Sequence, residues 1–84
     1  MKYDQKKLAG IIWYFRRAGR LSRERVEEET GINTSRLLRL EEKGYVMKVP
    51  ELFALHDYFR SQFKKIDTLE EFLQFDVPEE AKRS

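Results

Sequence analysis

The sequence predicts an all-α protein, built as a compact bundle of five helices. Leu, Glu, Lys and Arg, which favour helix, clearly outnumber Val, Ile and Thr. Apolar residues recur at three- and four-residue intervals, and only four glycines and two prolines interrupt the chain of 84 residues. This length suits a single domain, which we expect to span residues 1–78, with a frayed tail over residues 79–84.

The first two helices are predicted from an apolar stripe and from a cap. A stripe at helical spacing predicts a first helix over residues 5–18. Its members are Leu8, Ile11, Ile12, Phe15 and Ala18. Ser22 is a good N-cap for a second helix, and Gly31 suits the left-handed residue that ends it.

The third helix is predicted to be short and basic. Asn33 can cap its start, and Leu37 and Leu40 point inward. It should end near Lys43 and Gly44, so that a loop connects it to the next helix.

The last two helices are marked by Pro50 and by a capping box. Pro50 suits the first turn of a fourth helix that runs toward Phe63. Thr68 and Glu71 form a capping box, which predicts a short fifth helix ending before Pro78.

Charge is distributed unevenly along the chain, whose net charge is only +2. Residues 1–48 carry twelve Lys or Arg against seven Asp or Glu, whereas residues 49–84 carry five against eight. A basic half beside an acidic half is expected when one face meets a polyanion and another meets protein or solvent. Uneven solvation explains the same distribution equally well.

The composition offers little for catalysis. Without cysteine and with one histidine, the chain cannot assemble the usual metal-ligand clusters or a cysteine nucleophile. No paired acids, glycine-rich phosphate loop or nucleophile with a base can be named. We therefore expect no enzyme, no cofactor and no metal. A mean hydropathy of −0.72 predicts a soluble protein without a membrane span. The absence of cysteine fits a reducing cytoplasm, and charged residues on both sides of the first apolar run argue against a signal segment.

The second and third helices together predict a helix-turn-helix. Gly31 makes the turn, and Val26 and Ile32 are expected to pack beneath Leu37 and Leu40. This packing leaves four polar side chains on the outer face of the third helix. They are Thr34, Ser35, Arg36 and Arg39.

A family resemblance covers residues 8–59. Its motifs, in chain order, are Phe15-Arg16 ahead of Leu21-Ser22, Thr30-Gly31-Ile32, Leu37 with Leu40-Glu41, and Val49-Pro50 followed by Leu52, Phe53, Leu55 and Phe59. With these motifs the chain resembles the lambda-repressor/Cro-type (XRE-family) DNA-binding domain. The resemblance implies a five-helix bundle whose third helix enters the major groove. It also implies an ion pair between Arg16 and Glu41.

Three positions depart from the family pattern. Glu27 stands where alanine or glycine is preferred, so its side chain is expected to bend outward, toward Arg36 or Arg39. Arg23 replaces a glutamine that commonly touches phosphate. His56 occupies a usually small buried position, and we interpret it as a packed, hydrogen-bonded histidine.

The predicted function is that of a sequence-specific transcriptional regulator, most simply a repressor of phage or mobile-element (Cro/C1) type. Arg39 has the reach for a guanine edge, and Arg36 for either a base or a phosphate. Thr34 and Ser35 suit hydrogen bonds to bases or phosphates. The residues expected to hold phosphates are Arg23, Asn33, Lys43, Tyr45 and Lys48, with Asn33 acting foremost as the cap.

The expected partner is double-stranded operator DNA with a palindromic sequence, bound by a homodimer. One small domain touches few base pairs, so a dimer that reads two half-sites gives useful specificity. The residues predicted to form the dimer or partner contact are Phe63, Leu69, Phe72 and Phe75. The alternative is that these rings only close the core.

Two other interpretations stay open at this stage. The stretch from Arg36 to Val46 also resembles the recognition-helix end of a winged-helix regulator, which needs a two-stranded wing after Val46. Alternatively, the bundle is a protein-interaction module, of an antitoxin-like or regulator-binding kind. In that case Trp13, Tyr14 and the phenylalanine-rich C-terminus would bind a protein partner.

Overall fold

Five α-helices make up most of residues 4–81, which are the residues that the computed structural model describes. Their bounds are α1 Gln5–Ala18, α2 Arg23–Thr30, α3 Thr34–Glu42, α4 Val49–Gln62 and α5 Leu69–Leu73. Two 3₁₀ turns, Lys64–Ile66 and Glu79–Ala81, lie before and after α5. Residues 4–81 contain no strand, so the protein is an all-α bundle as predicted, and the wing that a winged-helix regulator needs is absent from this part of the chain.

The ends of the helices follow from local capping. Ser22 accepts a hydrogen bond from the backbone N–H of Arg25 at 3.0 Å, as its predicted cap role requires. Thr68 and Glu71 cap each other reciprocally, with hydrogen bonds of 3.0 and 3.1 Å. Asp4, which the sequence analysis did not single out, caps α1 by accepting from two backbone N–H groups. Each cap satisfies donors that a helix start otherwise leaves unpaired.

The core is centred on Phe15 of α1. Its ring centroid lies 5.8 Å from that of Phe59 and 6.2 Å from that of Phe72, so α1, α4 and α5 meet at this ring. Aliphatic side chains from the remaining elements complete the core. The fully buried ones are Ile11, Ile12, Val26, Leu37, Leu40, Leu52, Leu55 and Ile66. The helices are therefore held mainly by burial of apolar surface.

The chain after α4 folds back across α1 instead of extending away from the bundle. Phe63 does not continue α4, because it takes an extended conformation as the C-cap. The following 3₁₀ turn buries Ile66 completely and leads directly into α5. This return path explains why α5 contacts α1, α4 and the 3₁₀ turn.

The residues predicted to form the dimer lie on this returning segment. The burial of Phe72 shows that the prediction is wrong for this residue. Phe72 has no exposed surface, so it is a core residue and not a dimer contact. Phe63, Leu69 and Phe75 are half-buried and pack against the core. Phe75 lies beyond the end of α5 and stacks on Tyr14 with a centroid distance of 5.5 Å. Phe72 therefore closes the core, as the alternative has it, and the dimer role of Phe63, Leu69 and Phe75 stays a prediction.

His56 is packed and hydrogen-bonded. Its Nε2 lies 2.8 Å from the carbonyl oxygen of Ile66, and its ring stacks on Phe72 at 5.3 Å. A carbonyl oxygen can only accept, so Nε2 carries the proton and donates. His56 thus ties α4 to the 3₁₀ turn.

The ends of the chain are described only in part. Glu79–Ala81 form a 3₁₀ turn where the sequence suggests a frayed tail. Residues 1–3 and 82–84 lie outside the described residues, so the first three residues of the predicted domain and the last three of the predicted tail do too.

Candidate nucleic-acid interface

The helices α2 and α3 are joined by a three-residue turn, Gly31 to Asn33. Gly31 has a φ of 78°, the left-handed conformation that glycine adopts without steric cost. The hydroxyl of Thr30 donates to the carbonyl of Val26 at 2.7 Å and accepts from the N–H of Ile32 at 3.2 Å. The turn is therefore fixed by hydrogen bonds on both sides of Gly31.

The start of α3 is capped by two side chains. Asn33 accepts from the backbone N–H groups of Ser35 and Arg36 at 2.7 and 3.3 Å, so its oxygen is engaged as a cap. Glu27 accepts from the N–H of Thr34 at 3.0 Å. This contact corrects the prediction that Glu27 bends toward Arg36 or Arg39. A carboxylate placed where α3 begins also complements the positive end of the helix dipole.

An ion pair joins α3 to α1. Arg16 donates from Nε to Glu41 at 2.8 Å and from a terminal nitrogen at 2.9 Å, which makes the contact bidentate. Glu41 has no exposed surface and Arg16 is 9% exposed. Arg16 also donates to the carbonyl of Leu21 at 3.1 Å. The inner face of α3 is thereby set in one orientation against the bundle.

Arg23, predicted to hold phosphate, turns toward this ion pair. One of its terminal nitrogens lies 3.3 Å from Glu41, and its side chain is only 29% exposed. The guanidinium therefore serves first as a second counter-charge for the buried carboxylate. A phosphate would have to compete with Glu41 for it.

Arg36, predicted to read a base, is held on the side of α3 that faces α4. It donates twice to Glu51, at 3.0 and 3.1 Å, and once to the carbonyl of Val46 at 2.7 Å. This position differs from the outward one that the sequence predicts. The reason is Glu51 in the first turn of α4, which offers a nearby carboxylate.

The contacts with Arg36 lower the pKa of Glu51. Burial alone would raise the pKa of this carboxyl, but hydrogen bonds from Arg36 and from the backbone N–H of Lys48 outweigh it. The pKa of Glu51 therefore lies below its ordinary value of 4.5. The hydrogen bonds to Glu51 raise the pKa of Arg36. Both groups stay charged near neutral pH, and the link between α3 and α4 persists.

The outward face of α3 carries Ser35 and Arg39, four residues apart and both exposed. Thr34 is half-buried beside them. Glu42, also exposed, continues the same face toward the end of the helix. Side chains on this face point away from Leu37, Leu40 and Glu41, because successive helical residues are rotated by about 100°.

Leu38 is a residue of this face that the sequence analysis missed. It is 38% exposed, although its neighbour Leu37 is completely buried. Leu38 lies three residues after Ser35, on the side of α3 that faces outward, and this spacing would have identified it as exposed. An exposed leucine on this face can contact the methyl group of thymine.

A shallow groove of about 400 Å³ lies between the start of α2 and the outer side of α3. Its lining residues are Arg16, Ser22, Arg23, Glu24, Thr34, Ser35 and Leu38. Hydroxyl groups from both helices thus border one concave surface.

Three predicted phosphate residues flank the end of α3. Lys43 is its C-cap, Lys48 is the N-cap of α4, and both are exposed. Tyr45 is 44% exposed, and its ring centroid lies 6.0 Å from the guanidinium carbon of Arg39. The structure therefore places Arg39, Lys43 and Tyr45 in one neighbourhood.

An exposed apolar patch, formed by Val46, Val49 and Phe53, lies just beyond this neighbourhood along the chain. These side chains are 65%, 57% and 50% exposed, and the last two are four residues apart on α4. The sequence analysis did not identify the patch, because Phe53 falls within a stretch that it assigned to the helical pattern of the bundle.

Comparison of the chain with protein-family models, with curated proteins and with solved structures finds no match. Among residues 4–81, no helix combines the length and the apolar character needed to cross a membrane. What the protein does is therefore inferred from its own residues.

Proposed function

We propose that the protein is a sequence-specific DNA-binding transcriptional regulator that reads double-stranded DNA in the major groove with α3. The observation that carries the proposal is the division of this helix into two faces. Its inner face is buried and fixed to α1 by Arg16 and Glu41. Its outer face presents Ser35 and Arg39, the types of side chain that hydrogen-bond to base edges and phosphates.

The charges around α3 suggest how it meets DNA. Arg39, Lys43 and Lys48 provide positive charge near the end of the helix. Glu42, exposed on the outer face, would repel phosphates. The N-terminal half of α3 and Arg39 therefore enter the groove, while Lys43 and Lys48 follow the backbone of the DNA.

The proposed role is repression, in the manner of a phage or mobile-element regulator that acts in the cytoplasm. A nine-residue recognition helix contacts only a few base pairs. We therefore propose that two copies bind the two half-sites of a palindromic operator.

Selection from a randomised duplex library tests this function. The wild-type protein should enrich one sequence and bind it more tightly than a scrambled duplex, with an affinity that falls steeply as salt rises. Absence of enrichment would contradict sequence-specific recognition, and no measurable duplex binding at low salt would contradict DNA binding altogether.

A protein-interaction module is the second candidate, favoured by the patch of Val46, Val49 and Phe53. Exposed apolar side chains in one place are typical of contacts between proteins. The same salt series separates the two candidates, because the second predicts no duplex binding at any salt concentration.

A further inference from the structure

The ring of Tyr45 lies against the guanidinium of Arg39, and this contact is the strongest structural feature that the proposed function leaves unexplained. The guanidinium carbon lies 6.0 Å from the ring centroid, within the range at which a cation is attracted to an aromatic face. Tyr45 has its own exposed surface, so the contact is formed at the rim of the protein. We propose that Tyr45 is a positioning residue that orients Arg39 toward a guanine, an inference that rests on the proposed function.

The backbone around Tyr45 is fixed, although its side chain is exposed. Gly44 has a φ of 61°, and a Cβ atom at this glycine would lie 3.6 Å from the carbonyl oxygen of Gln5. The turn at Gly44 thus brings the chain back beside the start of α1. Met47, two residues after Tyr45, is 5% exposed and belongs to the core.

Arg36 supplies a further anchor. It donates to the carbonyl of Val46 at 2.7 Å and is itself held by Glu51 at 3.0 and 3.1 Å. Val46 directly follows Tyr45, so the ring is carried by a backbone that is tied down on both sides. Arg36, which the sequence predicts to contact a base or a phosphate, thus supports Tyr45. Tyr45 in turn orients Arg39.

The contact with the Tyr45 ring lowers the entropy that Arg39 loses when it binds DNA. A free arginine side chain loses rotamer entropy when it is immobilised. An aromatic face that already restricts the guanidinium reduces this loss on binding. The smaller entropy loss strengthens the contact between Arg39 and a base. Tyr45 should therefore affect sequence preference more than overall affinity for DNA.

This role differs from the phosphate contact that the sequence predicts for Tyr45. A phosphate contact would depend on the hydroxyl and would act on every duplex alike. A positioning role depends on the ring and requires Arg39 as its partner. Tyr45→Phe removes only the hydroxyl and is the matched control for Tyr45→Ala.

The experiment compares binding to the duplex enriched by the wild type with binding to a scrambled duplex, for four variants. Tyr45→Phe should keep the wild-type ratio of the two affinities. Tyr45→Ala should lower that ratio by about two- to fivefold, the range expected of an exposed cation-π contact. In an Arg39→Ala background, Tyr45→Ala should cause no further fall. Tyr45→Ala and Tyr45→Phe should leave the salt dependence of wild-type binding unchanged, because Tyr45 contributes no positive charge.

Three results would overturn the inference. Tyr45→Phe could lose as much as Tyr45→Ala, Tyr45→Ala could keep the wild-type ratio even if both affinities fall, or Tyr45→Ala could lower the ratio further in the Arg39→Ala background. In each case the wild type still enriches a duplex, so the proposed function stands and only the positioning role fails. A wild type that enriches no duplex overturns both. Far-ultraviolet circular dichroism checks that each variant keeps its helices.

Discussion

Arg16 and Glu41, twenty-five residues apart in the chain, form a bidentate ion pair almost completely removed from water. Removing one partner leaves a buried charge without its counter-charge, which typically costs about 3–5 kcal/mol. We expect losses of this size for Arg16→Ala and Glu41→Ala, and a loss for the double variant well below their sum. Denaturant melts of all three variants measure the coupling.

The exposed pair of Arg25 and Glu29 is the matched control. These side chains are 57% and 40% exposed, and their closest nitrogen and oxygen are 3.3 Å apart. Arg25→Ala should cost far less than Arg16→Ala, because an exposed ion pair contributes little to stability. Strictly additive losses for Arg16 and Glu41 would contradict an interaction between them.

Glu51 should make stability depend on pH below its ordinary pKa. Because its pKa is lowered in the fold, the carboxylate contributes stability that is fully present above pH 4.5 and is lost as the pH falls through the folded value. The wild type should therefore exceed Glu51→Gln in stability at pH 7, by a margin that shrinks below about pH 4.5. Melts between pH 7 and pH 3 measure that margin. A margin that grows toward acid would contradict the prediction.

Asn33 should stabilise the protein as a cap. Asn33→Ala removes the acceptor for two backbone N–H groups and should cost about 1 kcal/mol. Asn33→Asp keeps the acceptor and adds a favourable charge at the helix start, so it should match the wild type. Thermal unfolding of the two variants is the measurement. An alanine variant as stable as the wild type would show that the cap adds nothing.

Arg36→Ala should lower folding stability, whereas Arg39→Ala should lower sequence preference. Arg39→Ala should keep wild-type stability and lose about 1–3 kcal/mol of discrimination between the enriched and scrambled duplexes. Arg36→Ala should lose about 1–2 kcal/mol of folding stability, because Glu51 and the Val46 carbonyl lose their donor. Melts and duplex titrations of both variants form the test. The reverse pattern would show that Arg36 is the reader.

Phe72 and Phe53 offer a comparison between a core ring and a surface ring. Phe72→Ala should destabilise the protein by about 3–5 kcal/mol, because a fully buried ring leaves a cavity. Phe53→Ala, at a half-exposed position, should cost far less. Sedimentation of both variants at matched concentration also tests the sequence-based dimer hypothesis. A dimeric wild type beside a stable but monomeric Phe72→Ala variant would restore Phe72 as a dimer contact.

Structural features that depend on residues close together in the chain could be predicted from the sequence. The bounds of α1, the caps at Ser22, Asn33 and Thr68, and the glycine turn at Gly31 all depend on groups a few residues apart. Local hydrogen bonding decides each of them, so the residue pattern suffices.

The orientation of Arg36 and the burial of Phe72 depend on distant parts of the chain. Arg36 meets Glu51 fifteen residues later, and nothing in the spacing separates it from the outward Arg39. Phe72 is buried because the 3₁₀ turn Lys64–Ile66 returns the chain across the bundle. A 3₁₀ turn of three residues has too short a period for an apolar pattern to reveal it.

One face of α3 is fixed to the bundle and the other is turned outward. Substitutions on the outward face can therefore accumulate during evolution without disturbing the fixed face. The side chains that hold the helix, Leu37, Leu40 and Glu41, are distinct from Ser35 and Arg39 on its outer surface. Exchanges at Ser35 and Arg39 leave those packing contacts untouched. Under the proposed function, new target sequences would therefore be accessible through substitutions that leave folding stability nearly unchanged, and a lineage could diversify its targets without first acquiring compensating mutations.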